Sequence, residues 1–125
     1  MPARRRRAAD PPDVLKHRIA ADKIDFVRFE QSDTHGIARS KIVPARHVRH
    51  FAESGLNVVL GLLGVDAQFG IPSGTGYLEE VGYADARIRP DLRTYRVLPW
   101  ADRTARLLCE PYHVDGRPAM AAFTV

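Results

Sequence analysis

The chain has 125 residues, of which 45% are hydrophobic and 27% are charged, and its formal net charge is +4 at pH 7. This length fits one domain, and the hydrophobic content excludes a wholly disordered chain. No apolar run approaches the roughly 18 residues that a membrane-spanning helix needs. The single cysteine, Cys109, excludes an internal disulfide, and its apolar neighbours predict a buried, reduced thiol rather than a nucleophile.

The positive excess lies in one short segment. Arg4–Arg7 supply four charges, and the rest of the chain carries 15 basic and 15 acidic residues. We interpret residues 1–9 as a disordered basic tail, with weak binding to nucleic acid or anionic lipid as the alternative. No apolar segment of a secretory signal accompanies these arginines, so we expect a cytoplasmic protein.

The first half of the chain predicts a helix and a β-hairpin. Ala8–Lys23 has helical periodicity, with Asp10 as its N-cap and His17 facing water. Ile24–Gln31 is rich in β-branched and aromatic residues and predicts a central strand with apolar side chains on both faces. After a turn at Ser32–Gly36, the chain returns as a second strand over residues 37–43.

A second helix is predicted from Pro44 to about residue 54, with Gly55 as its stop. His35, His47 and His50 suggest a metal site as an alternative reading. No Glu, Asp or Cys set completes a site at ligand spacing, so we predict surface histidines and no metal.

The middle of the chain is apolar and then glycine-rich. Leu56–Val65 predicts a buried strand, because paired valines favour strands and glycines weaken a helix. Asp66–Glu80 predicts a long loop that is functional or mobile. Its glycines only loosely resemble a phosphate cradle, and no Gly-Lys-Ser/Thr follows, so a nucleotide-binding P-loop is not predicted.

Asp85–Tyr112 predicts a three-stranded meander. Ala86 and Ile88 alternate with Arg87 and Arg89, which places these arginines on one face of a strand. A turn at residues 90–91 is expected to separate this strand from the next.

The second run of the meander, Thr94–Leu98, ends at Pro99, and the third run is Ala105–Cys109. Arg96, in the second run, joins Arg87 and Arg89 in an arginine face, which is either solvated or a subunit interface. Trp100 is expected at the rim of the sheet, in a packing role or at a subunit contact. Asp115 and the following glycine predict a turn.

Several segments of the chain form a set of motifs in a fixed order and spacing. They are Ile24–Glu30, Ser32–Gly36, Lys41–Pro44, Thr75–Leu78, Gly82–Asp85, and the Val-Leu-Pro-Trp and Thr-Ala-Arg-x-x-Cys-Glu runs that begin at Val97 and Thr104. Together they resemble the N-terminal β-grasp domain of the glutamine synthetase family, in its divergent γ-glutamyl-amide ligase branch, over roughly residues 12–118.

The resemblance implies an α+β β-grasp fold, a mixed sheet of about five to six strands with one or two helices. It assigns residues 10–118 to the domain and residues 119–125 to the start of a linker to a C-terminal catalytic domain. In this family the larger C-terminal domain holds ATP and the Mg or Mn ions. The resemblance therefore implies that this chain binds no cofactor and is not catalytic alone.

The resemblance also implies that a loop matching Asp66–Glu80 completes the active site of a neighbouring subunit. Family members that use ammonia carry Asp-Gly-Ser-Ser there, but Ile71 stands where the aspartate belongs, which favours a bulkier amine or a non-catalytic relative. The candidates for the substrate loop are Asp66, Ser73 and Glu79. The candidates for the interface are Arg87, Arg89 and Trp100.

The implied function is that of a domain of an ATP-dependent glutamate–ammonia or γ-glutamyl-amine ligase of nitrogen metabolism. Its partner would be a second subunit of a homo-oligomer or that subunit's catalytic domain, with no membrane and no nucleic acid. The alternative is a stand-alone β-grasp interaction module or a non-catalytic glutamine-synthetase-like protein.

Overall fold

The structure, a computed structural model, describes residues 11–119 apart from 34, 65, 67, 69, 71, 73, 77–80 and 83. This part of the chain forms two α-helices, five strands and a short 3₁₀ helix. In chain order they are α1 (Pro11–Ala21), β1 (Phe26–Ser32), β2 (Ala38–Pro44), α2 (Ala45–Ser54), β3 (Leu56–Val59), the 3₁₀ helix (Leu60–Leu63), β4 (Asp85–Val97) and β5 (Thr104–His113).

The strands form one mixed sheet in the order β2-β1-β5-β4-β3. β1 and β5 are parallel, and the other neighbouring strands are antiparallel. Two helices on a five-stranded mixed sheet make an α+β fold, which confirms the predicted class and is consistent with a β-grasp.

One face of the sheet packs against both helices and forms the core. Alternation along the strands turns Val27 and Phe29 of β1 and Leu107 of β5 inward, where they are fully buried. α1 contributes Leu15 and α2 contributes Val48 to the same cluster. Among the described residues, neither helix is long and apolar enough to cross a membrane.

The β1–β2 hairpin confirms the predicted turn. Asp33 is buried, and its Oδ1 accepts hydrogen bonds from the backbone N–H of His35 at 2.8 Å and of Ile37 at 3.0 Å. Gly36 has φ +76°, as expected of a turn glycine. β1 lies between two other strands, as predicted, and its two faces are covered unequally, since Val27 and Phe29 are buried while Phe26 is 45% exposed.

The second helix also follows the prediction. It begins after Pro44 and ends at Gly55, whose φ is +77° and whose N–H donates to Phe51 O. A glycine suits this position because the left-handed conformation carries no Cβ penalty there.

The predicted strand over Leu56–Val65 is wrong in its second half. β3 ends at Val59, and the 3₁₀ helix follows, closed by a bond from Gly64 N to Gly61 O. Residues three apart eclipse in a 3₁₀ helix, so Leu60 and Leu63 are buried together, which alternation along a strand would not allow.

The predicted turn at residues 90–91 is also wrong, because β4 is one strand with an irregularity between Asp91 and Arg96. The Thr94 hydroxyl donates to Asp91 O at 2.6 Å and accepts from Leu108 N at 2.8 Å, so it replaces backbone bonds across a bulge. Pro90 is tolerated because β3 pairs with β4 only as far as Ile88, which leaves that side of the strand unpaired.

The C-terminal turn forms as predicted, with Gly116 at φ +92° and a bridge between Tyr112 and Pro118. Ala119 is buried, and its N–H donates to Pro111 O at 3.0 Å, so this residue packs on the end of β5. The predicted tail at 1–9, the predicted cap at residue 10 and residues 120–125 lie outside the described residues.

Candidate functional site

The face of the sheet opposite the helices is exposed in the described part of the chain. The alternation in the sequence placed the arginines of β4 on this face, but the extension of the face across β1 and β5 was not predicted. The alternation of charged Arg28 and Glu30 with buried Val27 and Phe29 was the available signal. We define the open face, from the strand register, as Phe26, Arg28, Glu30, Ile42, Arg87, Arg89, Arg96, Thr104, Arg106, Leu108, Glu110 and Tyr112.

The open face combines apolar and arginine side chains. Phe26 is 45% exposed, Ile42 63% and Leu108 44%. Arg28 lies between Ile42 on β2 and Arg106 on β5 in the register of the sheet. Protein interfaces are enriched in aromatic residues and arginine, so this composition favours a docking surface.

Arg87 and Arg89 lie on the open face, as the alternation predicted, while Ala86 and Ile88 are buried. Arg87 Nη1 donates to Ser54 O at 3.2 Å, which fixes that side chain against the end of α2. The guanidinium of Arg89 lies 5.2 Å from the ring centroid of its neighbour Tyr112 on β5.

Three further groups contribute to the electrostatics of the open face. Partial burial, and then the hydrogen bond of 3.1 Å to Glu110 Oε2, raise the pKa of Tyr112, so the phenol stays protonated at neutral pH. Arg28 Nε is buried without a hydrogen-bond partner among the described residues, and Glu30 Oε1 lies 3.4 Å away. Arg106 Nη1 donates to Thr94 O at 3.2 Å.

The loop after the 3₁₀ helix contains Asp66, the first of the three substrate-loop candidates. Its Oδ1 accepts the N–H of Gln68 at 2.9 Å and that of Gly70 at 2.6 Å, and its own N–H donates to Gly70 O at 3.0 Å. A Cβ at Gly70 would collide with this carboxylate. Asp66 therefore holds its own loop together, while Ser73 and Glu79 lie outside the described residues.

Trp100 lies in the turn between β4 and β5 and is 75% exposed. Its predicted position at the rim is confirmed, but a packing role within this chain is wrong. The turn is closed by a bond of 2.9 Å from Leu98 N to Thr104 O, which buries Leu98 and leaves the indole outside.

The other reactive side chains do not form a site in the part of the chain that is described. His17, His35, His47 and His50 are exposed, and no group of three His, Cys, Asp or Glu could hold a metal ion there. Burial raises the pKa of the Cys109 thiol to about 12, so the thiol is protonated and unreactive at neutral pH.

Known proteins resemble this chain over most of its length. No family model matches it. Human lengsin is 34% identical over 108 residues, covering 86% of this chain and 21% of lengsin. Glutamate–isopropylamine ligase from a Pseudomonas species is 33% identical over 111 residues, covering 84% of this chain and 24% of the ligase.

Glutamine synthetase from Methanococcus voltae is 30% identical over 103 residues, covering 80% of this chain and 22% of the enzyme. This chain belongs to the glutamine synthetase family. It spans about a fifth of the length of the curated relatives it matches.

Solved structures of this family have the same fold. GmaS in complex with ADP superposes with a TM-score of 0.63 at 26% identity, over 83% of this chain and 21% of GmaS. A glutamine synthase homolog gives the same TM-score at 23% identity, over 76% of this chain and 23% of its own. The family domain in this chain therefore consists of the five-stranded sheet and its two helices.

Proposed function

We propose that this chain acts as the N-terminal β-grasp domain of an ATP-dependent ligase that joins glutamate to ammonia or another amine in nitrogen metabolism. Its likeness to glutamate–isopropylamine ligase over 84% of its length supports this proposal. In a ligase of this kind, ATP and Mg or Mn ions bind the remaining, larger part of the protein rather than this domain. The proposal places the protein in the cytoplasm.

We further propose that the domain completes the active site of a neighbouring subunit in a homo-oligomer. The open face supports this proposed contact between subunits, because Phe26, Ile42 and Leu108 expose apolar surface there beside several arginines. Covering such a surface with a partner is favourable, because apolar side chains are removed from water. The loop that begins at Asp66 would then reach the partner's substrates.

The loop favours an acceptor other than ammonia. The Oδ1 atom of Asp66 accepts hydrogen bonds from two backbone N–H groups, so that oxygen is not available to bind ammonium or take its proton. Ile71, where family members with ammonia as substrate carry an aspartate, has no acidic group. A primary amine with an alkyl or larger substituent is the acceptor we propose.

A chimera tests the ligase proposal. Residues 11–119 would replace the matched fifth of the Pseudomonas ligase, and γ-glutamyl-amide formation would be measured with ATP and isopropylamine, a polyamine or ammonia. We expect ATP-dependent product with an alkylamine or polyamine and less with ammonia. A folded, oligomeric chimera that is inactive with every amine would count against the proposal.

Matched variants of the chimera test the open face. Leu108→Asp and Arg89→Glu are expected to reduce both the oligomer mass and the activity, since they place negative charge in the proposed contact. Lys16→Glu, on the exposed side of α1, is the control with the same kind of charge change and should leave both unchanged. Equal activity in all three variants would show that the open face takes no part in the active assembly.

The second candidate function is a stand-alone interaction module or a non-catalytic relative. The open face favours it too, because this surface could bind a partner without any catalytic part. Light scattering of the 125-residue chain at several concentrations separates the candidates. A monomer supports a domain that works within a longer ligase, whereas a stable dimer or ring supports a module that assembles alone.

A further inference from the structure

A groove with a volume of about 270 Å³ lies between α1 and the bulged part of β4. It shares no residue with the open face or with the loop that begins at Asp66. The residues that line it are Pro11, Val14, Leu15, Arg18, Leu92 and Arg93.

The bulge of β4 builds one wall of this groove. Asp91 accepts the backbone N–H of Arg93 at 3.0 Å and pairs with its guanidinium at 2.9 Å, while the Thr94 hydroxyl bonds Asp91 O. These local bonds fix Leu92 against the core and turn it towards α1. Bulges commonly serve to redirect side chains in this way.

The opposite wall comes from α1 and is also apolar. Val14 is partly exposed to the groove, and Leu15 is buried beneath it. Arg93 stands at the mouth of the groove, and its side chain is 90% exposed.

Arg18 supplies the charge of the groove. Its guanidinium lies 4.4 Å from the ring centroid of Tyr95 and makes no ion pair with any residue that the structure describes. The ring fixes the position of the cation without neutralising it.

No carboxylate of the described residues forms an ion pair with Arg18. Asp13 pairs with Arg49 at 2.6 Å, and Asp22, which does not line the groove, keeps its charge and accepts the hydroxyl of Tyr95 at 2.8 Å. Asp91, on the other wall, pairs with Arg93. The groove is therefore apolar along its sides and positive at Arg18.

We propose that this groove binds a small carboxylic acid with a short apolar body. The carboxylate would accept hydrogen bonds from Arg18, and the apolar body would lie between Val14 and Leu92. The volume falls just below the roughly 300–1,000 Å³ of ordinary small-molecule pockets, which suits a short acid and not a peptide segment. Arginine is well matched to a carboxylate because its N–H groups can donate in pairs.

Nuclear magnetic resonance titration of the 125-residue chain with sodium hexanoate tests the proposal. At constant ionic strength, we expect saturable amide shifts at Val14, Arg18 and Leu92, with a dissociation constant on the order of 1 mM for so small a ligand. Hexanol should bind at least ~5-fold more weakly and hexylammonium not at all, because the neutral and the cationic probes lack the attraction to Arg18.

Variants test whether Arg18 binds the carboxylate. Arg18→Gln is expected to weaken the binding of hexanoate roughly tenfold and to leave the binding of hexanol unchanged. Lys16→Gln removes the same charge from the exposed side of the same helix and should have no effect. If Arg18→Gln fails to fold, Val14→Asp serves instead, because it keeps Arg18 and adds repulsion at an exposed position.

Three results would overturn the proposal. The first is hexanol binding as tightly as hexanoate, and the second is unchanged affinity in the Arg18 or Val14 variant. The third is a set of shifts scattered over the chain rather than gathered around the groove.

Discussion

The hydroxyl of Tyr95 donates a hydrogen bond of 2.8 Å to Asp22 Oδ2, across 73 positions of the sequence. The bond ties the bulged part of β4 to the end of α1, and the guanidinium of Arg18 lies over the face of the same ring. Burial, and then the hydrogen bond to Asp22 and the negative charge of that carboxylate, raise the pKa of Tyr95, while Arg18 opposes the rise. The ring is buried and its hydroxyl is the only polar group it must satisfy.

Replacing Tyr95 with phenylalanine is expected to cost about 1 kcal/mol of unfolding free energy, because the ring stays buried while its hydrogen bond is lost. Urea denaturation would measure the change. Tyr112→Phe is the matched control, since that hydroxyl bonds Glu110 at an exposed position. Equal losses in the two variants would show that the bond to Asp22 adds no more to stability than an exposed bond does.

Gly55→Ala is expected to destabilise the fold, by about 1–2 kcal/mol, through both strain and collision. The glycine has φ +77°, and a Cβ there would lie 3.0 Å from Ile88 O. Gly36→Ala is the control, because Gly36 has nearly the same φ with no atom within 4 Å of a Cβ. The difference between their urea midpoints isolates the collision, and a larger loss at Gly36 would contradict this explanation.

Asp33 is expected to make stability fall in acid. Burial would raise its pKa, but hydrogen bonds from Ile37 N, His35 N and Arg39 outweigh burial and lower the pKa below its usual 3.8. Because the pKa of this carboxyl is lower in the folded state than in the unfolded state, its ionisation stabilises the fold at pH values above the unfolded pKa. This stabilisation is lost as the pH falls through the folded pKa.

Asp33→Asn is therefore expected to cost roughly 1–3 kcal/mol at pH 7, and the difference from the parent chain should shrink below about pH 4. Urea midpoints at pH 7 and near pH 2.5 would show this. Asp115→Asn, in an exposed turn that Arg117 also bridges, should have a smaller effect. A difference that is the same at both pH values would exclude the carboxylate charge as the cause.

Cys109 is expected to make stability fall in alkali. Burial raises the thiol pKa from 9.0 to about 12, so the folded state holds the proton more tightly than the unfolded state does. The resulting stabilisation is complete below about pH 9 and is lost as the pH rises towards 12. The stability of the Cys109→Ala variant, measured by thermal or urea unfolding, should fall less steeply between pH 8.5 and 11 than that of the parent chain. Parallel pH profiles would show that the thiol does not ionise on unfolding.

Features set by neighbouring residues could be predicted from the sequence. Asp33 and Gly36 specify their turn within five positions, and the helix between Pro44 and Gly55 carries its own start and stop. The alternation around Arg87 correctly placed the arginines on one exposed face, because a strand has a period of two.

Features set by distant residues could not be predicted. Thr94 keeps β4 continuous by bonding Leu108 N on another strand, a partner that no local pattern reveals. The part of the open face on β1 was not predicted, because Phe26 is as apolar as Phe29 and only the position of the helices decides which of them is buried. The hydrogen bonds of Asp66 Oδ1 to the backbone of its own loop could not be predicted either, and Asp66 stays a candidate of the substrate loop.

The parallel pairing of β1 with β5 determines the order in which the sheet can be completed. Residues 26–30 pair with residues 104–108, so the strand at the centre of the sheet is the last one to be synthesised. Until it emerges from the ribosome, the hairpin on one side and the β3–β4 pair on the other have no strand between them. Such sequence-distant contacts slow folding, and we expect a nascent chain that stops before residue 104 to expose its unpaired edges to chaperones.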